Sequence, residues 1–165
     1  MVIRSVITNT GRQNKGTGEG VYIGSDDSLG HDGCYANHVL YNHIGPGVTA
    51  EMIDIKQFTS GGIIKGNVLD GRDLCGCNSA VSLINVKGNS YKVLGNIGRN
   101  ADEDMFKVAT TNSGQGRNNY FSGNRCLSGT RSGFFCVRVP DFGGGNTSPN
   151  RVACGQRSNT GCRGK

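Results

Sequence analysis

The chain has 165 residues and a formal charge of +6, and glycine and asparagine together supply 45 of its residues (28 Gly and 17 Asn). Both are poor residues for a helix interior, so this composition argues against a helical bundle. Glycine follows no three-residue period, which excludes collagen, and valine and isoleucine recur too regularly for a disordered chain. We therefore expect one compact, turn-rich, all-β domain over residues 1–165, less regular over 1–15 and 143–165.

Short stretches that alternate apolar with other residues recur along the chain and predict strands with one buried face. The first is V-Y-I-G-S at 21–25, and the later ones are M-I-D-I-K (52–56), L-I-N-V-K (83–87), M-F-K-V-A (105–109) and F-C-V-R-V (135–139). The side chains expected to point into the core are Ile53, Ile55, Ile84, Val86, Phe106, Val108, Val137 and Val139.

A second pattern places an amide side chain after a short apolar stretch. The strings G-I-I-K-G-N, Y-K-V-L-G-N and N-Y-F-S-G-N end at Asn67, Asn96 and Asn124, and related strings end at Asn42 and Gln156. The intervals are 25, 29, 28 and 32 residues, and two or three strands in each interval are typical of a parallel β-helix. The sequence thus predicts an all-β, single-stranded, right-handed parallel β-helix of about five rungs. The asparagines would stack in a ladder, each donating to one neighbouring rung and accepting from the other.

Cysteine spacing favours disulfides over a metal site. The close pair at 75–77 has no second pair to complete four zinc ligands. Cys126 with Cys136, and Cys154 with Cys162, would close short loops, which leaves an odd cysteine among the seven.

Several signals favour an extracellular location. The disulfides and the glycosylation sequon at 146–148 are typical of secreted proteins. No stretch of about 18 apolar residues predicts a membrane span, and the start of this chain lacks the apolar segment of a signal peptide. We therefore expect a secreted protein whose signal peptide is missing from this sequence, with no membrane partner.

The outward positions of the predicted strands form a basic strip with embedded carboxylates, which suits an acidic partner. Lys56 and Lys87 would occupy the same position on adjacent rungs, within reach of one bound anion. Glu51 and Asp54 would lie near enough to hold the Lys56 ammonium or a hard cation. The strip lacks the interleaved aromatic residues of a nucleic-acid platform, so no nucleic-acid partner is expected. Further candidates for substrate binding are Tyr22, Arg99, Lys107 and Arg138.

Four segments resemble secreted right-handed β-helix proteins of the pectin-lyase-like superfamily. They are G-E-G-V-Y-I-G-S (18–25), N-H-I-G-P-G-V-T-A-E-M-I-D-I-K (42–56), S-G-G-I-I-K-G-N (60–67) and V-K-G-N-S-Y-K-V-L-G-N (86–96). The resemblance extends over about residues 16–156 and implies the same fold.

One of these rungs is also similar to the catalytic rung of chondroitinase-B-type and alginate lyases. In E-M-I-D-I-K (51–56), a glutamate and a lysine have the spacing found in those enzymes, where a lysine is the base, a basic residue on the next rung is the acid, and carboxylates hold calcium. The resemblance implies Lys56 as base, Lys87 as acid, and Glu51 and Asp54 as calcium ligands.

Such a site would perform β-elimination at a uronate. The reaction requires that the uronate carboxylate be neutralised, that a base remove the C5 proton and that an acid protonate the leaving oxygen. A lysine base needs a lowered pKa, which the positive charge of Lys87 would produce at Lys56.

Two functions from different classes remain open. The first is a protein that binds or cleaves acidic polysaccharide, with Glu51 and Asp54 either holding calcium or pairing with Lys56 or Lys87. The second is a non-catalytic structural or adhesive module, in which uncapped coil ends stack into homo-oligomers or fibres.

Overall fold

The computed structural model describes residues 1–31, 33–109, 114–129, 135–139 and 151–152. In these parts of the chain there are sixteen short strands, three 3₁₀ turns (Lys15–Thr17, Asp27–Leu29 and Cys77–Ser79) and no α-helix. The strands are β1 (Val2–Ile3), β2 (Val6–Ile7), β3 (Val21–Ile23), β4 (His38–Leu40), β5 (His43–Ile44), β6 (Ile53–Ile55), β7 (Ile63–Lys65), β8 (Val68–Asp70), β9 (Ile84–Val86), β10 (Lys92–Leu94), β11 (Ile97–Ala101), β12 (Phe106–Val108), β13 (Tyr120–Ser122), β14 (Arg125–Gly129), β15 (Val137–Arg138) and β16 (Arg151–Val152).

Successive strands are assigned to three parallel sheets in rotation, so that every third strand stacks on the one before it. The first sheet has the order β1-β4-β7-β10-β13-β16, the second β2-β5-β8-β11-β14 and the third β3-β6-β9-β12-β15. The predicted parallel β-helix is confirmed. Following a five-stranded sheet from its first strand to its last completes about four turns, so the number of turns differs slightly from the predicted five while the fold is the same.

The core lies inside the coil and consists of the predicted inward residues. In the third sheet Ile53 is aligned with Ile84, and Ile55 with Val86. Because equivalent residues stack from rung to rung, each apolar side chain packs on a similar one above and below. All eight of the predicted inward side chains are buried.

The asparagine ladder is confirmed at one corner of the coil. The backbone N–H and Nδ2 of Asn67 both donate to Oδ1 of Asn96, at 3.0 and 2.9 Å. Asn96 donates in the same way to Oδ1 of Asn124, and Asn42 to Oδ1 of Asn67. Each Nδ2 also donates to a carbonyl on the preceding rung, as Asn96 does to Ile64 at 3.0 Å. The buried amides and carbonyls of this corner are thereby hydrogen-bonded to one another.

The disulfide predicted between Cys126 and Cys136 is present. Cys75 and Cys77 form a second disulfide that the spacing did not predict. The pair Cys154–Cys162, the ladder position at 156 and all of the tail over 143–165 except β16 lie outside the described residues.

No helix in the described parts of the chain has the length and apolar character needed to cross a bilayer.

Replacing Asn96 with alanine should lower the free energy of unfolding by about 3 kcal/mol, because it leaves buried donors on Asn67 and the carbonyl of Ile64 without partners. Urea unfolding monitored by circular dichroism measures the change. Asn118→Gly is the matched control: this asparagine is exposed, and its φ of 58° suits glycine. The control should stay within about 0.5 kcal/mol of the parent, and equal losses in both variants would contradict the role of the ladder.

Candidate active site on the third sheet

The outward residues of the third sheet form one column. Tyr22 on β3 is aligned with Asp54 on β6, and Asp54 with Asn85 on β9. Lys107 and Arg138 continue the column on β12 and β15. These residues point outward because their neighbours at i±1 fill the core, so the burial of the apolar residues positions the polar ones.

Two lysines converge on the Asp54 carboxylate. Lys56 Nζ lies 2.9 Å from Asp54 Oδ2, and Lys87 Nζ lies 2.6 Å from Asp54 Oδ1. All three side chains are largely removed from solvent, at 11% exposure for Lys56, 16% for Lys87 and 3% for Asp54. The two lysines thus lie at equivalent positions on adjacent rungs, as predicted, and the Asp54 carboxylate lies between their ammonium groups.

Lys56 has two further neighbours on its outer side. Its Nζ lies 4.8 Å from the centre of the Tyr22 ring. Asp26 Oδ2 lies 3.6 Å from the same ammonium. Asp26 is in turn held by the backbone N–H and hydroxyl of Ser28, and these bonds lower the pKa of its carboxyl group.

The expected lowering of the Lys56 pKa is wrong. Burial does act to lower the pKa, but the charge and hydrogen bond of Asp54, together with Tyr22, outweigh burial and raise the pKa of Lys56. Asp54 sits between the two ammonium groups, so it compensates for the repulsion that Lys87 would otherwise exert. Lys56 is consequently a protonated cation at neutral pH in this arrangement.

A group of three carboxylates adjoins the lysine pair. One carboxylate oxygen from each of Glu19, Glu51 and Asp54 lies within 4.8 Å of the others. Burial and the nearby Asp54 charge raise the pKa of Glu51, while Asn85 Nδ2 donates to its Oε1 at 3.1 Å. Asn85 Oδ1 is buried and has no hydrogen-bond partner among the described atoms.

These residues fit a hard divalent cation. Calcium prefers carboxylate and amide oxygens, and Glu19, Glu51, Asp54 and Asn85 would supply ligands of both kinds. The pKa of Glu51 is raised by burial and then by the charge of Asp54, and a bound cation would act against both causes. The buried Asn85 Oδ1, which has no hydrogen-bond partner among the described atoms, is a further candidate ligand atom.

The other predicted substrate-binding residues lie at different distances from this group. Arg138 donates from Nε to the buried Asp104 and stacks on Phe135. Lys107 is half-buried between Asn85 and Arg138 in the outward column. Arg99 belongs to β11 in the second sheet, where its Nη2 lies 2.9 Å from Asp70, so the structure does not bring it to the third sheet.

Two residues at the site were not predicted from the sequence. Glu19 stands three positions before Tyr22, as Glu51 stands three before Asp54, and this repeated spacing could have indicated it. Asp26 belongs to the loop that follows β3, and no spacing pattern in that loop signals its approach to Lys56.

The chain was compared with known proteins. No protein-family model matches it, and no curated protein matches it significantly. Among solved structures it is similar to an alginate lyase from Paenibacillus sp. str. FPU-7, with 34% sequence identity and a TM-score of 0.82. The match covers 98% of this chain and 54% of the lyase, so the chain spans about half the length of that protein.

The sheet topology and this likeness together confirm the resemblance to pectin-lyase-like parallel β-helix proteins. In this chain, the coil that carries the lysine pair follows the same path as the matched half of the Paenibacillus lyase.

Replacing Asp54 with asparagine should lower the pKa of Lys56, since burial then acts without the compensating carboxylate. In the parent, a raised folded-state pKa means that Lys56 stabilises the fold fully below its ordinary pKa of 10.5, and that this contribution is lost as the pH rises through the raised value. Nuclear magnetic resonance of labelled lysine side chains measures the titration.

Asp73→Asn, which removes an exposed carboxylate on the loop after β8, is the control and should leave the Lys56 titration unchanged. An unaltered Lys56 pKa in Asp54→Asn would contradict the assignment of Asp54 as the cause.

Proposed function

We propose that this protein binds acidic polysaccharide and cleaves it by β-elimination at a uronate, with alginate as the first substrate to test. The observation that supports the proposal best is the set of contacts among Tyr22, Asp54, Lys56 and Lys87 on the outer wall of the coil. The likeness to an alginate lyase supports the same substrate class.

The two ammonium groups are suited to hold the uronate carboxylate. Lys56 stays protonated because Asp54 raises its pKa, which makes it a poor base and a good partner for an anion. The Lys87 ammonium, on the next rung, contacts the same Asp54 carboxylate and adds a second positive charge. Together they would neutralise the negative charge that otherwise opposes removal of the C5 proton.

Tyr22 is the best-placed group for proton transfer. Its phenol is 44% exposed and contacts Lys56, whereas Asp54 is buried beneath the lysines. Asp26 is also exposed beside Lys56, but its lowered pKa makes it a weak base. Burial raises the pKa of Tyr22 and the Lys56 ammonium offsets this only in part, so the phenolate forms on the alkaline side. We therefore assign the base to Tyr22 in place of Lys56.

The proposed reaction is a single elimination. The Tyr22 phenolate takes the C5 proton, the electrons of the C5–H bond form the C4–C5 double bond, and the bond from C4 to the glycosidic oxygen breaks. The leaving oxygen then receives a proton from the Tyr22 phenol or from Lys56. The products are a new reducing end and an unsaturated uronate.

Glu19, Glu51, Asp54 and Asn85 would hold calcium beside the lysine pair. A bound cation would supply positive charge near the uronate carboxylate. The chain's own residues would still orient the sugar and move the proton.

Incubation with alginate should raise the ultraviolet absorbance that unsaturated uronate ends produce, and Lys56→Ala and Tyr22→Phe should each lower the rate by at least about 100-fold. Because the pKa of Tyr22 is raised above its ordinary value of 10.0, the parent rate should climb with pH on the alkaline side. Lys65→Ala and Tyr41→Phe are matched controls. Lys65 on the first sheet and Tyr41 in the adjoining turn form a second lysine–tyrosine pair, with Lys65 Nζ 6.0 Å from the Tyr41 ring centre.

If Tyr22→Phe is fully active and Lys56→Ala is inactive, the base would be Lys56 and not Tyr22. Retained binding with no absorbance change on any uronate polymer would favour a non-catalytic, adhesive role for the coil.

Calcium should bind with a stoichiometry of one per chain in isothermal titration calorimetry, and Glu51→Gln should weaken that binding at least tenfold. Binding needs the ionised carboxylate, so affinity should rise with pH through the raised pKa of Glu51. Glu103→Gln, a half-buried acid between β11 and β12, is the control and should bind as the parent does. Binding that Glu51→Gln leaves intact would place the cation elsewhere.

A further inference from the structure

A cleft of about 360 Å³ lies where the chain passes from the third sheet to the first. Phe58 and Asn89, which line it, each follow the lysines of the site by two residues: Phe58 follows Lys56 and Asn89 follows Lys87. The cleft therefore belongs to the same rungs as the lysine pair and adjoins it along the turn. The proposed reaction uses none of its lining residues.

The floor of the cleft is a regular extension of the coil. Tyr35, Ser60 and Asn89 pair in parallel across three successive rungs. Backbone bonds from Ala36 N–H to the Ser60 carbonyl and from Gly61 N–H to the Asn89 carbonyl hold this register at 2.9 and 3.1 Å. The cleft is thus preformed, which lowers the entropy cost of binding a ligand.

The floor is also tied to the lysine site. The hydroxyl of Thr59, a buried lining residue, donates to the Lys56 carbonyl at 2.8 Å. A ligand bound in the cleft would therefore lie in a fixed relation to the Lys56 backbone.

The walls of the cleft present aromatic rings. His31 and Phe58 stack with ring centres 3.7 Å apart. Tyr35 is 69% exposed, and a Cβ at Gly33 would lie 3.0 Å from its hydroxyl, so glycine at 33 leaves room for the Tyr35 ring against the backbone. The exposed Tyr35 ring, and the face of the half-buried Phe58 ring that His31 does not cover, provide flat apolar surface for a ligand.

The remaining lining is polar but carries no carboxylate, ammonium or guanidinium group among the described residues. Asn89 Nδ2 donates to Gln115 Oε1, and Asn89 Oδ1 accepts from the backbone N–H of Arg117 at 2.8 Å. These bonds fix the two amides at the edge of the cleft. Fixed amides beside aromatic rings are typical of sites that orient a neutral, hydroxyl-rich ligand.

We propose that the cleft is a second sugar subsite, which binds a unit of the polysaccharide chain neighbouring the one held by the lysine pair. The apolar C–H face of the ring stacks on Tyr35 or Phe58, and its hydroxyls bond to the amides of Asn89 and Gln115. This inference rests on the proposed function, and it separates two kinds of recognition: charge at Lys56 and Lys87, and ring shape in the cleft. Binding energy from the cleft should therefore resist salt, whereas that of the lysine pair is screened.

Calorimetry with alginate disaccharide and hexasaccharide tests the subsite at low and high salt. All proteins carry Tyr22→Phe, so that the oligosaccharides are not consumed. Tyr35→Ala should weaken hexasaccharide binding roughly five- to tenfold at both salt concentrations, as loss of a stacking surface predicts, and leave disaccharide binding unchanged. Phe58→Ala should do the same. Tyr41→Ala is the control, because this tyrosine is similarly exposed but lies at the opposite end of the first-sheet strand β4 from Tyr35, beside Lys65.

Unchanged hexasaccharide affinity in both Tyr35→Ala and Phe58→Ala would overturn the subsite. So would an equal loss for disaccharide and hexasaccharide, or a loss that vanishes at high salt. In each case cleavage of alginate by the unsubstituted protein leaves the proposed function intact, whereas an unsubstituted protein that neither binds nor cleaves these oligosaccharides overturns both.

Discussion

The in-register stacking of equivalent residues from rung to rung is the constraint on which the rest of this structure depends. The backbone N–H and C=O groups of each strand find hydrogen-bond partners only in the rungs above and below. Each rung must therefore follow the same path as the rung before it. The asparagine ladder enforces that repetition, because Asn67 and Asn96 each use their backbone N–H and side-chain amide to bond the next asparagine. A shift of one residue in any turn would break these bonds and reverse the inward and outward faces.

The same stacking builds the site. A column of aligned residues places Tyr22 beside Asp54 and Asp54 beside Asn85 without any long-range loop. Stacking brings the ammonium groups of Lys56 and Lys87 together from adjacent rungs, and the Asp54 carboxylate between them compensates for their repulsion. Asp54 lies between the two ammonium groups, and on its other side it belongs to the group of three carboxylates with Glu19 and Glu51.

Charge compensation of this kind changes the chemistry of each member. A lysine beside another lysine is expected to lose its proton more easily, but a buried carboxylate between them reverses the direction of the shift. The protonated Lys56 is then suited to hold an anion, and the more exposed phenol of Tyr22 lies beside it. The wall therefore combines a charged region, which would recognise carboxylates, with the neutral aromatic cleft formed by the adjoining turn.

The sequence by itself determined the stacking. Alternation of apolar residues and the recurring asparagines are local signals, and together they predicted the parallel coil, the inward residues, the ladder and the adjacency of Lys56 and Lys87. The Cys126–Cys136 disulfide followed from spacing in the same way. Only the tertiary structure decided which charges touch: the place of Asp54 between the lysines, the approach of Asp26, and the Cys75–Cys77 disulfide. The physical reason is that strand formation follows from the pattern of residues close in sequence. A pKa instead depends on distances of a few ångströms between side chains, which are set by side-chain direction and loop path. The cleft could not be predicted from the sequence for the same reason, because His31, Tyr35 and Phe58 come together only when irregular turns on successive rungs are stacked.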